Sequence, residues 1–306
     1  MCMKLVSIIS VNYNQPRVTE EFLRSVLSQN DYMNVEIIVV DNGSNEDFTP
    51  AWRAKFPMVT FIRSEKNLGF AGGNNLGLSI ARGKYFFLVN NDTEFTDGLL
   101  TTLVDTLENN EKVGIISPLI HYFDDKTMIQ YAGYSPVNYY TGRNRCVGQY
   151  EKNSGQFENG SGETGYIHGA AMLVRKETIE RAGMMDPNYF LYYEELDWCE
   201  RIKKAGYTMY VNTDALIYHK ESVSVGKRSA LKEFFMTRNR ILFLRKNAPS
   251  LTFLVFCLYF ASTVLPRNLL VYLRNGEYSY IKVFFSAIFW HFTHRADSSD
   301  LGYPIK

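Results

Sequence analysis

The chain has 306 residues, a hydrophobic fraction of 46% and a formal net charge of +1. This length suits one large domain or two smaller ones, and the apolar content is sufficient for a buried core. The near-neutral charge argues against nucleic acid as a partner, and four cysteines without a CxxC pair or a zinc spacing argue against a disulfide framework.

Up to Asp92 the chain alternates between apolar runs and amphipathic segments. We predict strands at residues 6–11, 35–40, 59–62 and 85–89, and helices at residues 16–29 and 72–81. Continuous apolar strands joined by helical crossovers predict an α/β fold with a mostly parallel, Rossmann-like sheet covered on both faces. Polar residues end the first apolar run at once, without a signal-peptide cleavage site, so we expect a cytoplasmic catalytic part.

Parallel sheets of this kind bind ligands beyond the carboxyl ends of their strands. The residues at those ends are Asn12, Asp41, Arg63, Asn90 and Asp92. Asp41 opens an Asp-Asn-Gly turn, so it serves either the turn itself or a nucleoside base or ribose. The sequence Asn-Asn-Asp at 90–92 suits Mg²⁺ or Mn²⁺ bound mainly through a diphosphate, with a cap or turn as the alternative.

A glycine-rich segment at residues 67–77 leads into the second helix. Backbone amides at a helix N-terminus suit phosphate. The segment is neither a dinucleotide GxGxxG after the first strand nor a P-loop, which argues against a nicotinamide enzyme and an ordinary ATPase.

In the remainder of the chain, after Asp92, we predict helices at 99–107 and 196–205 and short strands at 113–116, 167–174, 208–211 and 215–218. Residues 131–165 are rich in Gly, Asn, Ser and Tyr, and the tyrosines favour an ordered binding loop over a disordered one.

Three carboxylates, Glu194, Glu195 and Asp197, lie where a helix is predicted to begin. They could simply stabilise the helix dipole. Their mutual repulsion in a partly apolar setting also raises the pKa of at least one of these carboxylates, which suits a general base. Trp198 lies three residues after Glu195 and is expected on the same helical face, as a platform for a sugar. His219 is either structural or a neutral imidazole ligand beside Asp92.

The composition changes near Gly226, which predicts a catalytic domain at 1–225 and a C-terminal helical region at 226–306. A basic stretch at 227–246 precedes apolar runs at 251–265 and 278–292. Each run is shorter than the roughly 20 residues of a spanning helix. We predict a membrane-associated, monotopic hairpin with its basic residues on anionic lipid. Buried core helices, or one tilted span through 250–273, are the alternatives.

Together the motifs resemble family 2 glycosyltransferases of the GT-A (nucleotide-diphospho-sugar transferase) fold, in the bacterial rhamnosyltransferase-like branch. The resemblance runs from Val6 to Asn247 and rests on the segments VSIISVNYN, VVDNGS, NLGFAGGNN, LVNND, HGAAMLVR, FLYYEELDW, YH and RNR, in this order. It implies an inverting transfer of a sugar from a nucleotide-diphosphate donor.

The resemblance also implies roles for single residues. Asp41, with the Asn12 loop beside it, would bind the base or ribose of the donor. Asp92 would hold the metal, with His219 as a further contact. Three residues would lie along the donor pocket: Gly69, Asn75 and Asn90, the last at the first acid position of the DxD motif.

The sequence departs from the family pattern at two positions. Asn90 replaces the first acid of DxD and is a weaker metal ligand. Glu194-Glu195 replaces a Glu-Asp pair, so the general base falls on Glu195, with Asp197 as the nearby alternative. That carboxylate would take the proton of the acceptor hydroxyl as it attacks the anomeric carbon.

The expected role is synthesis of a surface polysaccharide, such as O-antigen or capsule, at the cytoplasmic face of the cell membrane. The partners would be a dTDP- or UDP-sugar, with L-rhamnose favoured by the branch, and a glycan or lipid-linked acceptor. A nucleotidyltransferase is disfavoured because residues 12–16 replace its glycine-rich basic signature. A non-catalytic sugar-nucleotide binder is disfavoured because Asp92, Glu194, Asp197 and His219 are intact.

Overall fold

One mixed sheet forms the centre of the protein; the computed structural model describes residues 3–220 and 229–305. The strands are β1 (Val6–Asn12), β2 (Val35–Asn42), β3 (Val59–Ser64), β4 (Tyr85–Val89), β5 (Thr93–Glu94), β6 (Val113–Tyr122), β7 (Ile129–Tyr131), β8 (Gly162–Glu163), β9 (Ala171–Arg175) and β10 (Thr208–His219). Their order across the sheet is β3-β2-β1-β4-β9-β6-β10-β5, with β7 beside β6 and β8 beside β10.

The helices are α1 (Pro16–Gln29), α2 (Thr49–Lys55), α3 (Gly69–Leu78), α4 (Leu99–Asn109), α5 (Lys176–Ala182), α6 (Glu194–Lys204), α7 (Ala230–Asn247), α8 (Ser250–Tyr259), α9 (Leu265–Arg274) and α10 (Tyr278–Thr293). A 3₁₀ turn occupies Pro187–Tyr189, and a π-helical turn, Phe260–Val264, joins α8 to α9.

The first half of the sheet confirms the sequence analysis. Strands β1 to β4 form three parallel pairs, and α1 has the predicted bounds. Two apolar clusters cover the faces of the sheet, one with side chains of α1, α2 and α4 and the other with side chains of α3 and α6. Because both faces are covered, these strands are apolar throughout rather than alternating.

The second half departs from the predicted bounds. Strand β9 lies antiparallel between β4 and β6, so the sheet is mixed. It begins at Ala171, four residues later than predicted, and β6 extends to Tyr122. The two short strands predicted at 208–218 are one strand, β10, with a register shift between Asn212 and Leu216. Helices α2 and α5 were not predicted.

The C-terminal region consists of helices that pack on the catalytic part. The predicted boundary at 225/226, with Lys227 and Arg228, lies outside the described residues. The prediction that the basic stretch faces lipid is wrong for three arginines of α7. Arg238 and Arg240 are buried and Arg245 is half-buried, and all three donate to backbone carbonyl oxygens of other segments.

The apolar run at 251–265 belongs to a longer helix than predicted. Ser250–Arg274 is continuous over 25 residues, and among the described residues it is the one helix long and apolar enough to cross a membrane. Only 17% of its most apolar window is buried in the protein. The hydrophobic side chains on its outer face, such as Leu251, Leu254 and Leu258, are exposed.

Candidate active site

An open cleft lies beyond the carboxyl ends of β1, β2 and β4, where the strand order predicts a ligand site. Its volume is about 490 Å³. The lining combines the loop after β1, the start of α3, the segment after β4 and the chain before α6; it includes Tyr13, Gln15, Asn42, Asn67, Gly69, Phe70, Asn90, Asn91, Asp92, Tyr192 and His219. Gly69, Asn90, Asp92 and His219 are therefore brought together.

Asp92 and His219 meet because strand β5 begins directly after Asp92 and pairs with the end of β10. Thr93 is opposite His219 in that antiparallel pair. The Asp92 Oδ1 and His219 Nε2 atoms are 3.1 Å apart. Both are buried, and apart from this contact neither atom has a hydrogen-bond partner among the described residues.

Gln130, on β7, orients the ring of His219. The Nδ1 atom of His219 lies 2.8 Å from the Gln130 Oε1 atom, in a buried contact. Because an amide oxygen can only accept, Nδ1 carries a proton, and Nε2 is the ring atom that faces Asp92 and could ligate a cation. A second hydrogen bond of this kind is typical of metal-ligating histidines. The sequence analysis did not find Gln130, because it lies at the edge of a loop without a motif.

The Asp92–His219 pair fits a divalent cation. The described part of the chain has no group of three or more His, Cys, Asp or Glu side chains that could by itself hold a metal ion. The protein therefore offers two ligand atoms, with the amide of Asn90 in the same cleft. Mg²⁺ and Mn²⁺ commonly bind through one or two protein ligands, and substrate phosphates and water complete the coordination.

Asn12 and Asp41 do not bring their side chains to the cleft. Both are fully buried. The amide of Asn12 donates to Asp41 Oδ1 at 2.9 Å, and Arg63 pairs with Asp41 Oδ2 at 3.0 Å. The Asn12 Oδ1 atom accepts from the Thr19 hydroxyl at 2.9 Å. Their hydrogen bonds hold the β1 and β2 loops together, and Tyr13 and Gln15 line the cleft instead.

The glycine-rich entry to α3 is not an open phosphate cradle in this structure. The Gly69 amide donates to Asn67 Oδ1, and the Phe70 amide donates to the carbonyl of Phe190. The glycines instead permit close packing on the sheet, since a Cβ on Gly77 would lie 2.4 Å from the Ile9 side chain. Two of the four amides at the start of α3 are therefore already bonded, and phosphate binding at this helix N-terminus stays a prediction.

Asn75 lies on α3, away from the residues that line the cleft. Its Nδ2 donates to the Met185 carbonyl at 2.8 Å, and its buried Oδ1 has no partner among the described residues. The side chain thus ties α3 to the segment that precedes the 3₁₀ turn.

The chain enters α6 through a strained loop. Phe190, Tyr192 and Tyr193 have φ values of 62°, 69° and 72°, a region that non-glycine residues rarely adopt. Asn239 of α7 holds this loop, because its Nδ2 lies 2.8 Å from the carbonyl oxygens of Tyr189, Leu191 and Tyr192. Arg238 in turn donates to Asn239 Oδ1 at 2.9 Å.

Glu195 follows this loop and lines a second, smaller cavity of about 210 Å³. Tyr192 lines both this cavity and the cleft, so the two spaces adjoin at that side chain. The other walls include Tyr166, Val137 and the segment 142–144 from the long loop. Burial raises the pKa of Glu195 to about 7, a value suited to a base at neutral pH.

Glu194 is buried beside Glu195 and does not line either space. Its Oε2 atom has no hydrogen-bond partner among the described residues. Burial, and then the neighbouring Glu195, raise the pKa of Glu194 well above its usual value. Two adjacent buried carboxyls cannot both be charged without strong repulsion, so they share their protons as a pair.

Asp197 is placed differently from Glu195. Its carboxylate accepts from the Tyr189 hydroxyl, the Asn247 amide and the Arg201 guanidinium, at 3.1, 2.9 and 2.9 Å. It is buried at 1% exposure and stabilises the packing of α6 on α7. Trp198 is also buried, and its Nε1 donates to the Gly183 carbonyl. The predicted sugar platform at Trp198 is therefore wrong; Tyr166 and Tyr192 lie beside Glu195.

Comparisons with known proteins identify the family of the chain. The family model described as Glycosyl transferase family 2 matches residues 7–181. The chain is 24% identical over 239 residues to the N-acetylglucosaminyl-diphospho-decaprenol L-rhamnosyltransferase of Mycobacterium tuberculosis, covering 71% of this chain and 76% of that protein. It is 27% identical over 203 residues to the low-salt glycan biosynthesis hexosyltransferase Agl10 of Haloferax volcanii, covering 65% of this chain and 62% of that protein.

Solved structures share the fold. The mannosyltransferase PcManGT from Pyrobaculum calidifontis, in complex with GDP-Man and Mn²⁺, has a TM-score of 0.56 at 17% identity, covering 93% of this chain and 86% of that chain. GalNAc-T7 with UDP, GalNAc and Mn²⁺ has a TM-score of 0.60 at 14% identity; the match covers 79% of this chain and about half of that longer chain, 48%. These likenesses establish the GT-A fold.

Proposed function

This chain belongs to glycosyl transferase family 2, and we propose that it transfers a sugar from a nucleotide-diphosphate donor to a lipid-linked acceptor with inversion at the anomeric carbon. The observation that carries the proposal is the arrangement of two adjoining spaces. Asp92 and His219 lie in the cleft, and Glu195 lies in the smaller cavity next to it.

The cleft is the proposed donor site. Asn90, Asp92 and His219 would hold Mg²⁺ or Mn²⁺ there, and the cation would supply positive charge to the diphosphate of the donor. Gln130 keeps the His219 ring in the orientation and tautomer that ligation needs. Two structural neighbours bind Mn²⁺ together with a nucleotide or nucleotide sugar, which supports this proposal.

The smaller cavity is the proposed acceptor site, with Glu195 as the general base. A neutral hydroxyl is a weak nucleophile, so the carboxylate takes its proton as the oxygen attacks the anomeric carbon. The nucleoside diphosphate departs from the opposite face, which inverts that centre. Asp197 is a weaker candidate, because three hydrogen bonds already occupy its carboxylate.

The donor sugar is proposed to be L-rhamnose carried on dTDP, with a UDP-sugar as the second choice. Similarity to an L-rhamnosyltransferase supports the sugar, and the lipid-linked substrate in that protein's name supports the acceptor class. The corresponding role is surface polysaccharide synthesis, such as O-antigen or capsule.

A test of donor use begins with binding of dTDP-, UDP- and GDP-sugars, with and without Mn²⁺. We expect one donor to bind only with metal and to lose binding in Asp92→Ala. Asp124→Ala, which removes an exposed carboxylate outside the cleft, is the matched control and should bind like wild type. If no donor binds, or if the product released from a nucleoside triphosphate is pyrophosphate, the proposed transferase reaction is wrong.

We also propose that the C-terminal region, within a division at 1–225 and 226–306, lies on the cytoplasmic face of the membrane. Leu251, Leu254 and Leu258 are 74%, 55% and 63% exposed, and their spacing places them on one face of the helix. Leu254→Gln with Leu258→Gln should move the protein from the membrane pellet to the supernatant. Leu27→Gln, at an exposed leucine of α1, should leave it in the pellet. Unchanged pelleting of the double variant would contradict membrane docking through this face.

A further inference from the structure

A third cavity continues from the proposed acceptor site toward the C-terminal helices. Its volume is about 320 Å³. It shares five lining residues with the cavity that contains Glu195: Gly142, Arg143, Asn144, Tyr193 and Met236. The three spaces therefore adjoin in a row, from the cleft past Tyr192 and Glu195 to the π-helical turn, α9 and α10, and we call this row the channel.

The middle of this channel carries positive charge. Arg240, which is buried, and Arg143, which is exposed, both line it. Burial lowers the pKa of Arg240, and the neighbouring Arg143 lowers it further, as expected for two guanidinium groups placed close together. Among residues 3–220 and 229–305, no carboxylate forms an ion pair with either arginine. Glu233 also lines the cavity, where its Oε1 accepts from the Tyr272 and Thr237 hydroxyls, so the two arginines leave the lining with a net positive charge rather than two unopposed ones.

The wall that carries Arg143 is held in a defined conformation. Arg240 donates to the Thr141 carbonyl, and the Tyr193 hydroxyl lies 3.4 Å from the Gly142 carbonyl. Gly142 has a φ of 61°, and a Cβ there would lie 2.9 Å from the Leu244 side chain, so only glycine fits without strain. The arginine is thus presented by an ordered turn.

The far end of the channel is apolar. Phe260, Val264 and Phe284 line it beside the amide of Asn268. Phe260 and Val264 belong to the helix whose outer face exposes Leu254 and Leu258. A ligand in the channel would therefore meet a sugar-sized space, then two positive charges, and then an apolar wall beside the proposed membrane surface.

We infer that this channel binds the lipid-phosphate part of the acceptor, with its phosphate or diphosphate at Arg143 and Arg240 and the first units of its hydrocarbon chain along Phe260, Val264 and Phe284. The inference rests on the proposed function, since it names how the acceptor of that reaction is held. An anion joined to an apolar chain matches the order of the lining groups, whereas a free soluble sugar would use neither the charges nor the apolar end.

The test uses the purified full chain and farnesyl diphosphate as a short lipid-diphosphate probe, without divalent metal so that the cleft does not compete. We expect saturable binding that weakens about ten-fold or more in Arg143→Gln, because a hydrogen bond to a charged phosphate is lost. Arg145→Gln, at an exposed arginine two residues away that lines none of these cavities, is the matched control and should bind like wild type.

A second pair of variants separates charge from shape. Met236 lines both cavities and is 40% exposed, so substitution there is compatible with folding. Met236→Glu should weaken binding of the probe far more than Met236→Gln, which has the same shape without the charge. Inorganic diphosphate and farnesol should each bind more weakly than farnesyl diphosphate, because each lacks one of the two parts.

Each outcome decides the inference separately from the donor reaction. Loss of probe binding in Arg143→Gln, with donor binding unchanged in the same variant, supports the channel. Equal binding by wild type and Arg143→Gln, or binding of inorganic diphosphate as tight as that of the probe, overturns it. A wild-type protein that binds no nucleotide sugar but binds the probe through Arg143 would overturn the proposed transferase reaction and leave the channel standing.

Discussion

The assignment of the general base to Glu195 rather than Asp197 predicts opposite outcomes for two conservative substitutions. Glu195→Gln should lower kcat by about 10²–10⁴-fold, because a positioned base contributes that much to proton transfer. This corresponds to about 3–5 kcal/mol in the activation free energy. Asp197→Asn should retain most of the activity, since its carboxylate faces Tyr189, Asn247 and Arg201 rather than a cavity.

The free energy of unfolding should show the reverse order. Asp197→Asn breaks a buried ion pair and replaces an acceptor by a donor, which costs about 3–5 kcal/mol when both partners are buried. Because the Arg201 side chain is 27% exposed and water can reach it, we expect a loss of about 2–3 kcal/mol. Urea unfolding of both variants gives the free energies of unfolding to compare. The kcat values are measured at urea concentrations well below the unfolding transition.

The pH dependence adds a signature that a purely structural role would not produce. Burial raises the folded-state pKa of Glu195 from 4.5 to about 7, so the folded protein binds this proton more tightly than the unfolded chain. The contribution of this proton to the free energy of unfolding is fully present below about pH 4.5 and is lost as the pH rises through about 7. Glu195→Gln should therefore be more stable than wild type above neutral pH and similar to it near pH 5.

The kinetic profile should follow the same group. In wild type, kcat/KM should rise with pH as Glu195 loses its proton near 7, and Glu195→Gln should lack this rise. Near-normal kcat in Glu195→Gln, together with a large loss of kcat at unchanged stability in Asp197→Asn, would refute the assignment.

Two further substitutions test residues that support the site. Gln130→Leu removes the acceptor at His219 Nδ1, so the apparent metal affinity should fall about 10–100-fold in a metal titration of donor binding, and an unchanged titration would contradict a metal role for His219. Asn239→Asp keeps the shape but turns a donor into an acceptor facing three carbonyl oxygens, so it should lower the free energy of unfolding by about 2–4 kcal/mol and reduce kcat. Retained stability and activity in Asn239→Asp would show that the loop before α6 does not depend on this amide.

The sequence predicted the first four strands and the edge of the sheet where the cleft lies. Continuous apolar runs, separated by an amphipathic helix with Pro16 in its first turn, left one arrangement that buries both faces. Strand ends in a parallel sheet share an edge, so Asn90 and Asp92 were expected near the β1 and β2 loops. The structure places both in the lining of the cleft.

Side-chain direction at those strand ends was not predictable. In a sheet buried on both faces, polar and apolar residues do not alternate along a strand, so the sequence does not show which way a side chain points. Asn12 and Asp41 were therefore expected in the cleft, like Asp92. The structure shows them buried and bonded to each other. The facing side of α6 was not predictable either. Residues two apart lie on opposite sides of a helix, and the sequence does not say whether Glu195 or Asp197 faces the cavity.

Contacts between distant segments could not be predicted from the sequence either. Asp92 reaches His219 through β5, a strand of two residues with no periodicity of its own. Gln130 acts only because β7 pairs with β6 and brings it to β10. The register of such short strands is fixed by tertiary packing, so no local sequence pattern predicts it.

The contacts of α7 join the C-terminal region to the proposed acceptor site. Asn239 holds the strained loop that precedes Glu195, and Arg240 holds the turn that presents Arg143. Two walls of the proposed acceptor site therefore depend on one helix from the C-terminal region. The same helix packs against α10 and contacts α8, so the apolar surface and the base are joined through it. The proposed reaction would use this coupling, because the proposed base, Glu195, would then stand at a fixed distance from the membrane that carries the proposed lipid-linked acceptor.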